Sequence, residues 1–111
     1  MIKVKNNKKF GNHIVATKNI KKKMKIGETP IIIFDKRETN LISKTKLKKY
    51  VYEYTFGKNQ VALAVGEGSF FNHSEDANAL FVIKKNKIIY FAKKDIKKDE
   101  QIFINYGYNP F

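Results

Sequence analysis

The sequence contains several apolar runs of about four or five residues, each bounded by polar residues, glycine or proline. Such runs, rich in isoleucine, valine and phenylalanine, are typical of strands and are too short for most helices. The clearest pair, residues 80–83 and 88–92, flanks the polar segment 84–87 and predicts a hairpin. Residues 31–34 predict a further buried strand. We therefore expect a mostly β fold built from several small sheets.

A helical pattern occurs at one place in the chain. Ser43 is suited to cap a helix, and apolar side chains then recur at helical spacing at Leu47, Tyr50, Val51 and Tyr54. From Tyr50 onward an alternating pattern is also present, with Tyr50, Tyr52, Tyr54 and Phe56 on one side, which favours a strand. We predict one short helix near residues 44–49 that leads into an extended segment, and a loop at residues 35–40.

Length and composition indicate one intracellular domain. A chain of 111 residues is long enough for a single modest core, so residues 1–111 are expected to form one domain. The absence of cysteine excludes a disulfide framework and a thiolate zinc cluster. Residues 1–10 lack the apolar core of a signal peptide, and the aliphatic run 31–34 is too short to span a bilayer. We expect a soluble protein of the nucleus or cytoplasm, with no membrane partner.

The charge is strongly positive and comes almost entirely from lysine. The net charge is +13, and Arg37 is the one arginine. Such a surface attracts polyanions, so weak nucleic-acid contact through lysines is one expectation. Compositional bias towards lysine, asparagine and isoleucine explains the same charge without any partner. Residues 18–25 are a lysine run that contains Ile20 and Met24, and they predict an exposed turn with two apolar anchors.

The most polar and flexible stretch lies at residues 66–78. Two glycines are followed by two phenylalanines and then by asparagine, histidine and serine at residues 72–74. The glycines allow a tight turn or a close approach to a ligand, and the aromatic pair can anchor the segment in a core. These residues indicate a binding loop, although a hairpin with a polar turn has the same composition.

A second motif near the end of the sequence favours the binding loop over the hairpin. Residues 70–74 read Phe-Phe-Asn-His-Ser, with Asn78 four residues further on, and residues 99–107 read Asp-Glu-Gln-Ile-Phe-Ile-Asn-Tyr-Gly. In this order and separation they resemble the two signature motifs of SET-domain protein lysine methyltransferases, in their minimal, viral-like form. Ala77 replaces the family's proline, and residues 104–106 replace its common Phe-Asp-Tyr. The resemblance implies a SET β-clip of several small sheets with one short helix and a C-terminal pseudoknot.

The resemblance also implies a binding site for S-adenosylmethionine. Gly11 and Asn12 match a glycine loop that contacts the methionine part of the cofactor, with His13 in place of the second glycine. Asn72 would bind the amino-acid end of the cofactor, and His73 its adenine. The implied cofactor-binding residues are Gly11, Asn12, His13, Asn72, His73, Tyr106 and Phe111.

The implied substrate is a protein lysine, most commonly on a histone tail. Tyr106 matches the tyrosine of the terminal motif and is expected to be catalytic, together with Tyr54, which is placed to match an upstream channel tyrosine. The implied substrate channel consists of Tyr54, Ile104, Tyr106 and Tyr108. Because Ile104 lacks a hydroxyl that could hold a water, we predict that di- and trimethylation are allowed.

Other chemistries find little support in the sequence. A serine triad lacks its orienting groups, and His13, His73 and Asp76 are too few to predict a metal site. Two alternatives to an active enzyme remain open: a non-catalytic, basic β module that binds nucleic acid or chromatin, and a SET-like domain inactivated by His13. A homodimer is compatible with so compact a chain.

Overall fold

The computed structural model describes residues 1–107, which form a mostly β fold with one α-helix and two 3-10 turns. The helix, α1, spans Lys36–Ile42, and the 3-10 turns span Lys46–Lys49 and Glu67–Phe70. The strands are β1 (Ile2–Asn7), β2 (Gly11–Ala16), β3 (Lys25–Phe34), β4 (Val51–Glu53), β5 (Val61–Ala64), β6 (Asn72–His73), β7 (Ala79–Ile83), β8 (Lys87–Ala92) and β9 (Phe103–Ile104). Within residues 1–107, none of the helical segments has the length and hydropathy required to cross a bilayer.

The strands form two sheets. Strands β1 and β2 pair as a separate hairpin, and the larger sheet has the order β4-β5-β3-β8-β7-β9-β6. Strand β3 joins the two halves of this sheet, because its first half pairs with β8 and its second half pairs with β5. The predicted hairpin of residues 80–92 is confirmed as β7 and β8.

The end of the described chain is inserted between β6 and β7. Strand β9 runs parallel to both of these strands, and the Ser74 amide donates to the carbonyl oxygen of Ile104 at 3.0 Å. Asn78, at the end of the connecting loop, donates to the Gln101 carbonyl oxygen at 2.9 Å and accepts from the Phe103 amide at 2.8 Å. The expected pseudoknot is therefore confirmed, and it places the polar segment 72–74 beside the C-terminal motif.

The core lies between β2, β8 and the segments that precede and form β9. It contains isoleucines that are almost completely removed from solvent, at Ile14, Ile20, Ile88, Ile96, Ile102 and Ile104. A smaller hydrophobic cluster, formed by Ile42, Val51 and Val61, packs α1 against the sheet.

Four expectations about local structure were wrong. Residues 35–40 do not form a loop, because Asp35 and Glu38 make a capping box that begins α1. Ser43 caps the end of α1 and not the start of the next segment, while the short helix expected near residues 44–49 is present as a 3-10 turn that Thr45 caps and that leads into β4. The strand at residues 31–34 is only partly buried, since half of Ile32 is exposed. Met24 is exposed as well and does not anchor its turn.

Candidate active site

The polar segment begins with a turn that requires glycine. Gly66 has φ = +111°, a backbone conformation that residues other than glycine rarely adopt. The hydroxyl of Thr29 donates to the Val65 carbonyl oxygen and fixes the entry to this turn. At Gly68, a Cβ atom would lie 2.6 Å from the hydroxyl oxygen of Tyr90, so only glycine fits without displacement of a neighbour. These contacts position the 3-10 turn that leads to Asn72.

Two buried tyrosines support the same turn from below. The hydroxyl of Tyr52 donates to the Gly68 carbonyl oxygen at 2.9 Å, and the hydroxyl of Tyr90 donates to the Tyr52 oxygen at 3.1 Å. Burial raises the pKa of both phenols well above the ordinary value. Both hydroxyls are therefore neutral hydrogen-bonding groups at physiological pH, and they hold the carbonyl of Gly68 in one direction.

Tyr106 lies at the junction of the two sequence motifs. Its hydroxyl donates to the Phe71 carbonyl oxygen at 2.7 Å, and its ring centroid is 4.9 Å from that of Tyr52. Its backbone amide donates to Nδ1 of His73 at 3.2 Å, and the two rings are stacked. Burial raises the pKa of the Tyr106 phenol to about 12. Tyr106 consequently keeps its proton at neutral pH and is positioned as a hydrogen-bonding group.

Asn72 joins three segments of the chain. Its side-chain amide donates to Oε1 of Gln101 at 3.2 Å and lies 3.5 Å from the Asn12 carbonyl oxygen. These contacts connect β6 with the start of β2 and with the segment before β9. Because its amide nitrogen is engaged in this way, the side chain of Asn72 has a defined direction.

Asn72, His73 and Tyr106 border a cavity of about 630 Å³. This volume is within the range of roughly 300–1,000 Å³ that is typical of small-molecule sites. Among the described lining residues none is acidic, and aromatic rings alternate with amide groups, a hydroxyl and two lysines. The lining residues are Phe10, Gly11, Asn12, Lys48, Lys49, Tyr50, Val51, Ser69, Phe70, Phe71, Asn72, His73 and Tyr106.

Five of the residues expected at the cofactor site line this cavity: Gly11, Asn12, Asn72, His73 and Tyr106. His13 does not line it. Its side chain is 5% exposed, its Nδ1 lies 3.0 Å from the Gly11 carbonyl oxygen, and its ring packs beside Phe10. The side chain of His13 therefore does not fill the space where a cofactor would approach the loop. Phe111 lies outside the described residues.

Of the described residues expected at the substrate channel, Tyr106 borders the cavity, and Tyr54 and Ile104 do not. Ile104 is completely buried in the core and does not border the cavity. The Tyr54 hydroxyl donates to the Lys85 carbonyl oxygen at 2.9 Å, at the turn of the β7–β8 hairpin. Within residues 1–107, the tyrosine ring that packs against Tyr106 is that of Tyr52. Tyr108 lies outside the described residues.

The sequence interpretation missed several residues of the site. Lys48, Lys49 and Tyr50 enter the lining from the 3-10 turn and its end, and Ser69 enters from the turn before Asn72. Tyr52 was overlooked although it belongs to the alternating series Tyr50, Tyr52, Tyr54. That series contained the signal, but alternation does not indicate which tyrosine lies beside the C-terminal motif.

The described residues show no metal centre. Within residues 1–107 the histidines and carboxylates form no group of three that could ligate a metal ion.

A comparison with protein families agrees with this arrangement. The model of the SET domain matches residues 11–107, a span that begins at the glycine of the cavity and includes Tyr106. The chain belongs to the SET-domain family.

Relatives of this SET domain are named as enzymes. It is 29% identical over 109 residues to a histone-lysine N-methyltransferase of Schizosaccharomyces pombe that is specific for lysine 37 of histone H3, covering 96% of this chain and 73% of the relative. A potential protein lysine methyltransferase of Saccharomyces cerevisiae, SET6, is 48% identical over 41 residues, covering 37% of this chain and 11% of the relative.

The fold is also similar to that of a solved SET structure. A crystal structure of a Plasmodium falciparum protein, named as a candidate histone methyltransferase, has a TM-score of 0.75 and 29% identity. The similarity covers 96% of this chain and 93% of the other. Together with the named relatives, it identifies the chain as a SET-domain protein lysine methyltransferase.

Proposed function

We propose that this SET domain transfers a methyl group from S-adenosylmethionine to the side-chain amine of a lysine in a histone, within the nucleus or cytoplasm. The observation that carries the proposal is the convergence of Asn72, His73 and Tyr106 on one cavity. The amide and hydroxyl of Tyr106 bond to His73 and Phe71, which are more than thirty residues away in sequence. The histone target is supported by the named activity of the Schizosaccharomyces pombe relative.

The cavity fits S-adenosylmethionine in size and in chemistry. Its aromatic side chains suit a nucleoside. Because the amide nitrogen of Asn72 is engaged with Gln101, the side-chain oxygen of Asn72 is the group that would accept the ammonium at the amino-acid end of the cofactor. Lys48 and Lys49 place positive charge at the rim, where it complements a carboxylate. When bound, S-adenosylmethionine supplies an electrophilic methyl group on a sulfonium. The proposed cofactor-binding residues that the structure describes are Gly11, Asn12, Asn72, His73 and Tyr106.

Tyr106 would orient the amine of the substrate. Because its proton is donated to the Phe71 carbonyl oxygen, the lone pairs of its own oxygen are available to accept an N–H of the amine. That contact would direct the nitrogen lone pair away from Tyr106 and towards the methyl donor. Its raised pKa excludes the phenol as a base at neutral pH, so the protein contributes position and electrostatics.

The amine must reach the site without its proton. A lysine in water has a pKa of about 10.4, and removal from water beside a cation lowers that value. The half-buried rings of Phe81 and Tyr106, which pack against each other above the buried ring of Tyr52, provide a surface of this kind. The proton is then lost to solvent before transfer.

The number of methyl groups is proposed from Ile104. This isoleucine is buried in the core and carries no hydroxyl that could reach the amine and hold a water molecule beside it, so di- and trimethyl-lysine are expected products. A product series that stops at monomethyl-lysine would contradict this part of the proposal.

The proposal is tested by cofactor binding and product analysis. Calorimetry should detect binding of S-adenosylmethionine, and Asn72→Ala should weaken it by about tenfold or more, the scale of one lost polar contact. Asn86→Ala, at the exposed turn of the hairpin, is the matched control and should bind as the wild type does. Incubation with labelled cofactor and histones, followed by mass spectrometry, should locate a methylated lysine. Absence of cofactor binding would refute the proposal.

A further inference from the structure

Two lysine-rich segments, far apart in sequence, meet on one side of the fold. Residues 18–25 and 93–100 together contain nine lysines and three acidic residues. All nine lysine side chains are exposed. These sixteen residues therefore hold a large part of the net charge of +13 in a small part of the chain.

A pair of buried isoleucines brings the segments together. Ile20 and Ile96 form an antiparallel bridge, with amide-to-carbonyl hydrogen bonds of 2.7 and 2.8 Å, and each is 1% exposed. The Lys23 amide also donates to the Ala92 carbonyl oxygen, and the Lys98 amide donates to Oδ1 of Asn19. Because adjacent side chains of an extended segment point to opposite sides, the neighbours of the two isoleucines face solvent.

The nearby acidic groups neutralise few of these lysines. Oδ1 of Asp95 accepts the backbone amide of Lys22 at 2.8 Å, and Oε1 of Glu100 accepts that of Lys97 at 3.3 Å. Within the described residues, the ammonium groups that form ion pairs in these segments are those of Lys25 and Lys94. The others define the double-lysine surface: Lys18, Lys21, Lys22, Lys23, Lys93, Lys97 and Lys98.

We propose that the double-lysine surface binds the phosphate backbone of double-stranded DNA without selecting a sequence. Clustered ammonium groups fit a regular row of phosphates, since binding releases condensed counterions from the duplex. The two segments contain no arginine, the residue that most often reads guanine, so contacts to bases are not expected. They also contain no aromatic residue, which disfavours single strands because stacking of bases would be missing.

This inference is independent of methyl transfer. None of the seven lysines lines the cavity of the candidate active site, and DNA binding requires neither cofactor nor substrate. If both proposals hold, the surface would retain the enzyme near protein substrates that are themselves bound to DNA. If methylation fails while DNA binding succeeds, only the proposed function is wrong.

The test compares two variants of equal charge. The first carries lysine-to-glutamine changes in the surface, at Lys21, Lys22, Lys97 and Lys98. The control carries the same changes at exposed lysines elsewhere, at Lys3, Lys5, Lys84 and Lys85. Fluorescence anisotropy with a labelled duplex of random sequence is measured over a range of salt concentrations, and urea denaturation followed by circular dichroism verifies that each variant is folded.

The expected result is a difference in salt dependence. Each phosphate contact that is lost should reduce the slope of log affinity against log salt by about 0.9, so the loss of all four contacts should reduce the slope of the surface variant by about 3.6. The control should lose less than about one unit. Equal losses in both variants would show that the charge acts diffusely and would overturn the proposal. Stronger binding to single strands, or surface-dependent binding to phosphatidylserine vesicles in place of the duplex, would overturn it as well.

Discussion

The hydroxyl of Tyr106 is a single group on which the proposed chemistry depends. It is held by the Phe71 carbonyl and keeps its proton because burial raises the pKa to about 12. Tyr106→Phe would preserve the ring contact with Tyr52 but remove the oxygen that orients the amine. We expect kcat for methyl transfer to fall by about 10²–10³-fold, the usual effect of removing one transition-state hydrogen bond, with little change in cofactor affinity.

The matched control for this prediction is Tyr54→Phe. The Tyr54 hydroxyl donates to the Lys85 carbonyl oxygen and does not border the cavity, so kcat should remain near the wild-type value. A loss of activity in Tyr54→Phe that equals the loss in Tyr106→Phe would restore the channel role that the sequence implied for Tyr54.

Gly68 offers a second prediction at the scale of one residue. A Cβ atom there would lie 2.6 Å from the Tyr90 hydroxyl oxygen and 2.8 Å from Cγ2 of Thr29. Gly68→Ala should therefore reduce the free energy of unfolding by about 1–3 kcal/mol, as overpacking does in well-packed cores. Gly27→Ala, with open space around the added atom, is the control for urea denaturation. Full stability of Gly68→Ala would contradict the close approach of Tyr90.

At the scale of elements, the insertion of β9 depends on Asn78. This buried side chain donates to Glu100 and to the Gln101 carbonyl, and it accepts from the Phe103 amide. Asn78→Ala leaves these groups without their partner, so we expect a loss of roughly 3 kcal/mol in unfolding free energy. Asn86→Ala serves as the exposed control in the same denaturation experiment. Equal stability of both variants would show that Asn78 does not secure the loop.

Which elements the sequence could predict depended on how local their determinants are. The β7–β8 hairpin was predictable because the two apolar runs and their polar turn are adjacent. The capping residues Asp35 and Glu38 were a local signal for helix α1. The helix buries only Thr39 and Ile42, so its sequence lacks the apolar periodicity that would indicate a helix. No local sequence pattern indicated which strands pair with β9, because its two residues, Phe103 and Ile104, pair with strands about 25 to 30 positions earlier in the chain. The resemblance to a family supplied what periodicity lacked.

At the scale of the whole molecule, the site is formed by segments that meet only after folding. The polar residues Asn72, His73 and Tyr106 were predictable from their motifs, and the structure places them on one cavity. The contribution of Lys48 and Tyr50 was not predictable, because it depends on where the 3-10 turn ends and β4 begins. In the sequence, Tyr52 and Tyr54 occupy equivalent positions of one alternating pattern. Only packing against distant segments places Tyr52 beside Tyr106 and Tyr54 beside Lys85.

The buried phenols make the stability of the whole fold sensitive to alkaline pH. Burial raises the pKa of Tyr52, Tyr90 and Tyr106 above the ordinary value near 10, so the folded state holds these protons more tightly than the unfolded chain does. Their contribution is complete below about pH 10, where tyrosine is neutral in both states. It is lost as pH rises from about 10 towards the folded-state values, because ionisation then favours the unfolded chain.

For Tyr106, the shift from 10 to about 12 corresponds to a loss on the order of 3 kcal/mol when pH rises through this window. Urea denaturation at about pH 9 and about pH 11 should therefore show a larger loss of stability in the wild type than in Tyr106→Phe. The many lysines also titrate in this range, but both proteins contain the same lysines, so the difference isolates the phenol. Absorbance of tyrosinate should rise at lower pH once the protein is unfolded in urea. Identical pH dependence in the two proteins would mean that Tyr106 is hydrated in the folded state and does not occupy the buried position from which it would orient the amine.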